Sequence, residues 1–337
     1  MPRLAAFAGM LLAAGMAGPA QVRAQVHAVG PPVLSLPLAC EPHRTCFIQS
    51  YVDLDAGTGV RDYACGGATY DGHSGVDFRL LSAEATKAGV PVLASADGVV
   101  KGVRDGVTDI FASQGKPEDV KGRECGNGVV IDHGDGWETQ YCHLKQNSIS
   151  VFQGQSVTRG ERLGDVGFSG LADFPHVHLS VRHDGKVVDP FLPDATACQR
   201  DAKGTGMWEP AAARAFPYKN GEIIAAGFSG EVVDKAALDA DHGRVTPVTP
   251  TSPALVFYGH FINLRAGDRI RIVVTGPGGS LVEQLSEPLD RDKARWLSFA
   301  GKKRKDNPWP FGRYEGRAEI VRDSAVVGAS VAVLDLR

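Results

Sequence analysis

Two histidines stand two positions apart, His176 and His178, in Phe174-Pro-His-Val-His-Leu-Ser-Val181. The β-branched and apolar neighbours predict a strand. Side chains at i and i+2 of a strand share a face, so both imidazoles can look into one pocket. An isolated pair of this kind usually packs or lies at the surface. A second cluster upstream gives this pair meaning: Gly72-His-Ser-Gly-Val-Asp-Phe-Arg79 sets His73 four residues before Asp77. Two glycines disfavour a helix there, and 77–81 reads as extended. On a straight strand, Cα atoms four positions apart lie about 13 Å from each other. Zinc ligand atoms lie only ~2 Å from the ion, so both side chains reach one metal only if the backbone turns, and Gly75 is the residue expected to permit the turn. Two imidazoles and a carboxylate, with one position left for water, are a normal shell for a hydrolytic zinc. Binding by all four candidates would close that position, so a hydrolase leaves one of them out.

These residues resemble the lysostaphin-type (LytM-type) zinc metallopeptidases, which cut peptidoglycan peptides. The resemblance covers residues 70–190 and extends beyond the ligands. It includes Gly89-Val-Pro-Val-Leu-Ala-Ser-Ala-Asp-Gly-Val-Val100, Gly126-Asn-Gly-Val-Val-Ile-Asp-His-Gly-Asp-Gly136, Thr139-Gln-Tyr-Cys-His-Leu144 and Gly160-Glu-Arg-Leu-Gly-Asp-Val-Gly167, in the family's order. It implies one Zn2+ per chain held by His73, Asp77 and His178. It also implies that His176 and the histidine of the Tyr-x-His-Leu motif, His143, handle protons. No His-Glu-x-x-His helix is present to supply a glutamate base, and an imidazole, titrating near pH ~6.5, suits the task. His133 is expected to serve its turn, and His183 to face away from the ligand strand.

The elements that must hold these groups are short Val- and Ile-rich runs between Gly-rich turns, with no long helix. That pattern predicts a mainly β fold, an antiparallel LytM-like catalytic domain over residues 65–195. His133-Gly-Asp-Gly136 is expected to turn the chain between strands 127–132 and 137–144. Residues 104–124 read as an insertion, either a shaper of substrate choice or a plain surface loop. Residues 196–220 read as a linker with one helical turn at 211–215. The stretch 221–337 is expected to form a smaller β-sandwich of immunoglobulin or fibronectin type, from strands near 223–225, 254–258, 269–274, 316–321 and 330–334.

The start of the chain has the pattern of a secretory signal peptide over residues 1–24: Arg3, a short apolar run and a small-residue site ending at Ala24. Export to the periplasm or outside the cell is therefore expected. No cysteine stands at the cleavage point to take a lipid, and no transmembrane segment is expected after signal removal. Residues 25–64 precede the first motif; 47–52 reads as a strand joining the catalytic sheet, and the segment is a candidate cover for the metal.

Six cysteines in an exported chain imply three disulfides. The hairpin brings Cys125 near Cys142, Cys40 and Cys46 can close a small loop, and Cys65 with Cys198 would tie the two ends of the catalytic domain. A net charge of −3 over 337 residues gives no reason to invoke nucleic acid; peptidoglycan peptides are the expected partner. Lys302-Lys-Arg-Lys305 beside Trp309-Pro-Phe-Gly312 offers either a wall or protein contact through the sandwich or a capped loop. His242 and His260 are assigned no role. The leading expectation is an exported zinc endopeptidase acting on wall crosslinks. The alternatives are a non-catalytic wall-binding protein that activates another hydrolase and a wall-binding structural protein with a stabilising metal.

Overall fold

The computed structural model describes residues 30–115, 120–200, 202, 205–240 and 245–337; the expected signal peptide and His242 lie outside them. The fold is mainly β. Ten strands come first: β1 (Cys46–Ser50), β2 (Val76–Leu80), β3 (Pro91–Leu93), β4 (Gly98–Arg104), β5 (Asn127–Gly134), β6 (Trp137–Leu144), β7 (Ser156–Val157), β8 (Arg162–Asp165), β9 (His176–His183) and β10 (Lys186–Val188). Eight form one antiparallel sheet in the order β1-β2-β9-β6-β5-β4-β7, with β10 paired to β9, while β3 and β8 make a separate ribbon.

The period of two divides this sheet into two working faces. Val76, Phe78 and Leu80 of β2, with Val177, Leu179 and Val181 of β9, are buried in the first core. At ~1.5–3 kcal/mol per large apolar side chain buried, that face holds the sheet flat against the rest of the core. The alternate positions Asp77, Arg79, His176, His178 and Ser180 therefore share the other face. Asp135 and Gly136 both have positive φ (48° and 78°), as a two-residue type I′ hairpin requires, and close the β5–β6 hairpin between Gly134 and Trp137.

Seven strands follow: β11 (Glu222–Ser229), β12 (Ala254–Leu264), β13 (Arg269–Gly276), β14 (Gly279–Leu285), β15 (Lys293–Lys303), β16 (Gly312–Arg322) and β17 (Ala325–Leu336). Sheets β11-β12-β15 and β14-β13-β16-β17 enclose a second core containing Phe257, Phe261, Ile270, Ile272, Tyr314 and Ile320. Strands β14 and β15 go beyond the expected set. Both lie at sheet edges with much of their length exposed, so polar side chains suffice and the apolar signal fades. Trp309 is buried and its Nε1 donates to the Ser252 carbonyl at 3.0 Å. It caps the sandwich; Phe311 is the exposed aromatic of that loop.

The segment between the two regions is packed. Met207, Trp208, Ala212 and Phe216 belong to the first core, and the helical turn is a short helix, Pro210–Ala215, with Pro210 at its start. The sandwich also touches the first sheet directly, through Phe47 of β1 against Ile224 and Ile262. The cysteines are joined Cys40–Cys46, Cys65–Cys198 and Cys125–Cys142.

After β10, Asp189 is buried with Oδ1 accepting from the Phe191 amide at 2.7 Å and Oδ2 without a partner among the described residues. Burial pushes its carboxyl up to about 7, against the pull of the Phe191 and Leu192 amides. An unfolded Asp titrates near ~3.9. Its contribution to stability is therefore fully present below about pH 4 and is lost as the pH rises through about 7, an effect on the order of a few kcal/mol. Asp189→Asn should abolish this part of the slope, so its melting temperature relative to the native chain should rise between pH 4 and 7.5. Parallel curves in a calorimetric pH series would contradict that.

Candidate metal and catalytic centre

Asp77 on β2 faces His178 on β9 in the antiparallel register, and Arg79 faces His176. His73 arrives from the turn before β2. Gly72 has φ +75°, while Gly75 serves a different need from the expected one. A Cβ on Gly75 would stand 2.5 Å from His178 Nε2 and 2.7 Å from the Leu179 carbonyl oxygen, so glycine is required there for close approach, and Gly72 takes the left-handed conformation. The result is a triangle of donors: His73 Nε2 lies 3.1 Å from Asp77 Oδ1 and 3.1 Å from His178 Nδ1, which lies 2.8 Å from Asp77 Oδ1. Tetrahedral ligands ~2.0–2.1 Å from zinc stand about 3.3 Å apart, so the donor set and spacing fit that ion. Among the described residues this is the group whose ligand atoms converge in this way, all within 4.8 Å of one another.

Carbonyl oxygens only accept hydrogen bonds, and that assigns three tautomers. His73 Nδ1 donates to the Tyr51 carbonyl at 2.6 Å, His143 Nδ1 to that of Ser169 at 2.8 Å, and His176 Nδ1 to that of Phe174 at 2.8 Å. In His143 and His176 the bare Nε2 remains, whereas His73 Nε2 points at Asp77 Oδ1, to which it can donate until a metal takes its place. His176 Nε2 is 3.5 Å from Asp77 Oδ1, and the His143 and His176 rings stand 4.5 Å apart. His178 has its Nε2 3.0 Å from Ser180 Oγ, which can accept its proton and leave Nδ1 bare. Such outer partners orient ligands and tune their basicity.

The electrostatics agree with this arrangement. Burial, joined by neighbouring His176 and His178, holds His143 well below the ordinary imidazole range. Burial likewise takes His176 down to about 4, with Asp77 opposing. Burial presses the Asp77 carboxyl upward, yet His73, His176 and the bonds to His178 and His73 prevail and hold it well below the usual carboxylate range. Near neutral pH the centre therefore presents a carboxylate and two neutral imidazoles with free lone pairs.

His143 reaches the pocket through an irregularity. Strict alternation from Tyr141, which is in the core, would send His143 into the core as well. Instead the β5–β6 register shifts between Asn127 and Val129, opposite 141–144, and His143 has φ +64°. This β-bulge turns the imidazole out and returns Leu144 to the core. Two constraints hold it there: the His143 amide donates to the Cys125 carbonyl at 2.8 Å, and Cys125 is bonded to Cys142 across 17 positions, a closure worth ~3 kcal/mol.

Above these groups lies a groove of about 210 Å³ whose walls include Tyr70, Gln140, Cys142, Leu171 and Arg182. Nothing from the described part of residues 25–64 lines it; Tyr51 and Asp53 instead brace His73 from behind. The insertion runs beside the groove and is fastened by Asp109, which accepts from the amides of Gln146 (2.9 Å) and Phe168 (2.8 Å) and bridges to Ser169. His133 lies away from the centre, bonded to the Asp97 carbonyl and Thr139, and His183 stacks on Trp137. Ser169, Ser180 and Phe174 were not anticipated as supports. Only Ser180 carried a signal, as the next residue on the face of His178.

Residues 71–190 match the model of peptidase family M23. That stretch, about a third of the chain, is similar to the family's peptidase domain. The DD-carboxypeptidase/endopeptidase Mpg of Neisseria meningitidis serogroup B is 36% identical over 134 residues, 38% of this chain and 25% of the relative. Peptidoglycan DD-endopeptidase ShyA of Vibrio cholerae is 35% identical over 117 residues, 35% of this chain and 22% of the relative. The chain thus spans about a quarter of the length of these relatives. The catalytic domain of the prophage-encoded M23 protein EnpA from Enterococcus faecalis is 23% identical, covering 49% of this chain and 95% of its own, with a TM-score of 0.31.

Removing the oxygen that holds His178, by Ser180→Ala, should weaken zinc binding by roughly 10- to 100-fold with little change in melting temperature of the metal-free chain. Competition against a zinc-binding dye measures it, and an unchanged affinity would contradict the orientation assigned to His178.

Proposed function

We propose that the chain is an exported, zinc-dependent endopeptidase that hydrolyses peptide crosslinks of peptidoglycan. The observation that supports it most is the convergence of His73, Asp77 and His178 in a triangle of zinc dimensions, beside the imidazoles of His143 and His176, whose rings stand 4.5 Å apart. The M23 match and the names of the relatives, both acting on peptidoglycan or as DD-peptidases, support the substrate class. The three disulfides are consistent with an oxidising compartment.

Zinc held by His73 Nε2, Asp77 and His178 Nδ1 would supply Lewis acidity, polarising the scissile carbonyl and bringing the pKa of a water towards ~7. The chain's own groups do the rest. His143 and His176, neutral with Nε2 bare, can each accept a proton from the attacking water; once protonated, the same nitrogen can donate to the oxyanion or to the leaving amine. The Ser169 and Phe174 carbonyls keep Nδ1 protonated and the rings aimed, so neither imidazole must reorient as it gains a proton. Gln140, whose Oε1 accepts from Arg182 Nη1 at 2.7 Å, places an amide and a guanidinium on the groove wall, suited to the carbonyl and carboxylate groups of a stem peptide. A non-catalytic activator would have no use for two oriented, neutral imidazoles next to a complete ligand set.

Incubating the mature chain with purified peptidoglycan should release new amino termini at crosslinks, identified by mass spectrometry. His178→Ala should lose both zinc and activity. His143→Ala and His176→Ala should keep zinc and lose kcat by roughly 10²- to 10⁴-fold. A native chain that releases no more amino termini than His178→Ala would sink the endopeptidase assignment.

A further inference from the structure

The face of the sheet that carries the centre also carries the contact with the C-terminal sandwich. Arg79, two residues after Asp77 and on the same face, is fully buried. Its Nη1 donates to Gln49 Oε1 at 2.8 Å and its Nη2 to Asp239 Oδ1 at 3.2 Å. Asp239 belongs to the short helix Lys235–Ala240 of the sandwich region. The other oxygen of Asp239 accepts from Arg295 Nη1 of β15 at 3.3 Å, and the same Arg295 nitrogen donates to the Asp173 carbonyl at 3.3 Å.

The two guanidinium groups have a second common neighbour. Arg79 Cζ lies 4.8 Å and Arg295 Cζ 5.3 Å from the centre of the Phe174 ring, a geometry in which the electron-rich face attracts cations. Phe174 in turn packs against the His176 ring at 4.5 Å, and its carbonyl takes the His176 Nδ1 proton. One residue thus fixes both the plane and the tautomer of His176, and that residue is gripped by one arginine from each region. Asp239 keeps the two like charges together: without it, two guanidinium groups beside one ring would repel, and the buried one would lack a countercharge.

We propose that Arg295 and Asp239 of the C-terminal sandwich are positioning residues for His176, acting through Arg79 and Phe174. On this view the sandwich completes the catalytic unit, whatever polymer it also contacts. The grip itself stands on geometry; only its kinetic consequence rests on the endopeptidase assignment.

The test uses the full chain. Arg295 is partly exposed, so Arg295→Ala should fold, and Arg313→Ala, on the far side of the sandwich beside Glu315, is the control. With 4-fluorophenylalanine in place of Phe174, Arg295→Ala should shift and broaden the fluorine resonance. Arg295→Lys, which keeps a cation near Asp239, should restore part of it, and Arg313→Ala should leave it unchanged. In crosslink cleavage, Arg295→Ala should lower kcat by about tenfold to a hundredfold, the range that misplacing a reacting group produces, with KM and zinc content unchanged; Asp239→Asn should do the same. A fluorine resonance identical in the native chain and Arg295→Ala would overturn the proposal. So would a kcat loss that tracks a loss of zinc or of folded protein, or that appears equally in Arg313→Ala. If the native chain cleaves no crosslink, the endopeptidase assignment falls while the fluorine comparison still decides the grip.

Discussion

The structure depends on one geometric constraint: five polar side chains from three parts of the chain must meet on one face of a sheet whose other face is a hydrophobic core. The antiparallel pairing of β2 with β9 meets most of it at once. With Asp77 opposite His178 and Arg79 opposite His176, the apolar residues between them are committed to the core, and a slip of one position would exchange the two sets. The same packing that stabilises the sheet therefore fixes the positions from which the donors converge.

Much of this was legible in the sequence because it follows from local rules. The two-residue spacing of His176 and His178 places them on a common face, and the Asp-Gly pair at 135–136 announces its hairpin, which brings Cys125 to Cys142. What the local rules missed has identifiable physical causes. Alternation would put His143 in the core, and only a bulge built with the partner strand turns it outward; the family resemblance, not periodicity, singled it out. Gly75 was read as a hinge, yet the space it leaves is occupied by His178, a neighbour 103 positions on. Edge strands β14 and β15 are too exposed to carry a strong apolar pattern.

The relation between the two halves was the least legible. Residues 196–220 have the composition of a linker, yet Trp208 and Phe216 are core residues, and Phe78 of β2 packs edge-on against both rings. Arg79 and Asp239 are 160 positions apart, and nothing in a buried arginine's own sequence neighbourhood names its counter-ion. Such pairs are costly to bury unless fully matched, and here Gln49, Leu80 and Asp239 together provide the match.

The sandwich roofs the β1 edge of the sheet face that bears the donors, while Gln140 and Arg182 stand on the opposite flank of the groove. Under the proposed function, a polymer strand seated in the groove would lie against Gln140, Leu171 and Arg182, its course bounded on one side by the region that also grips Phe174.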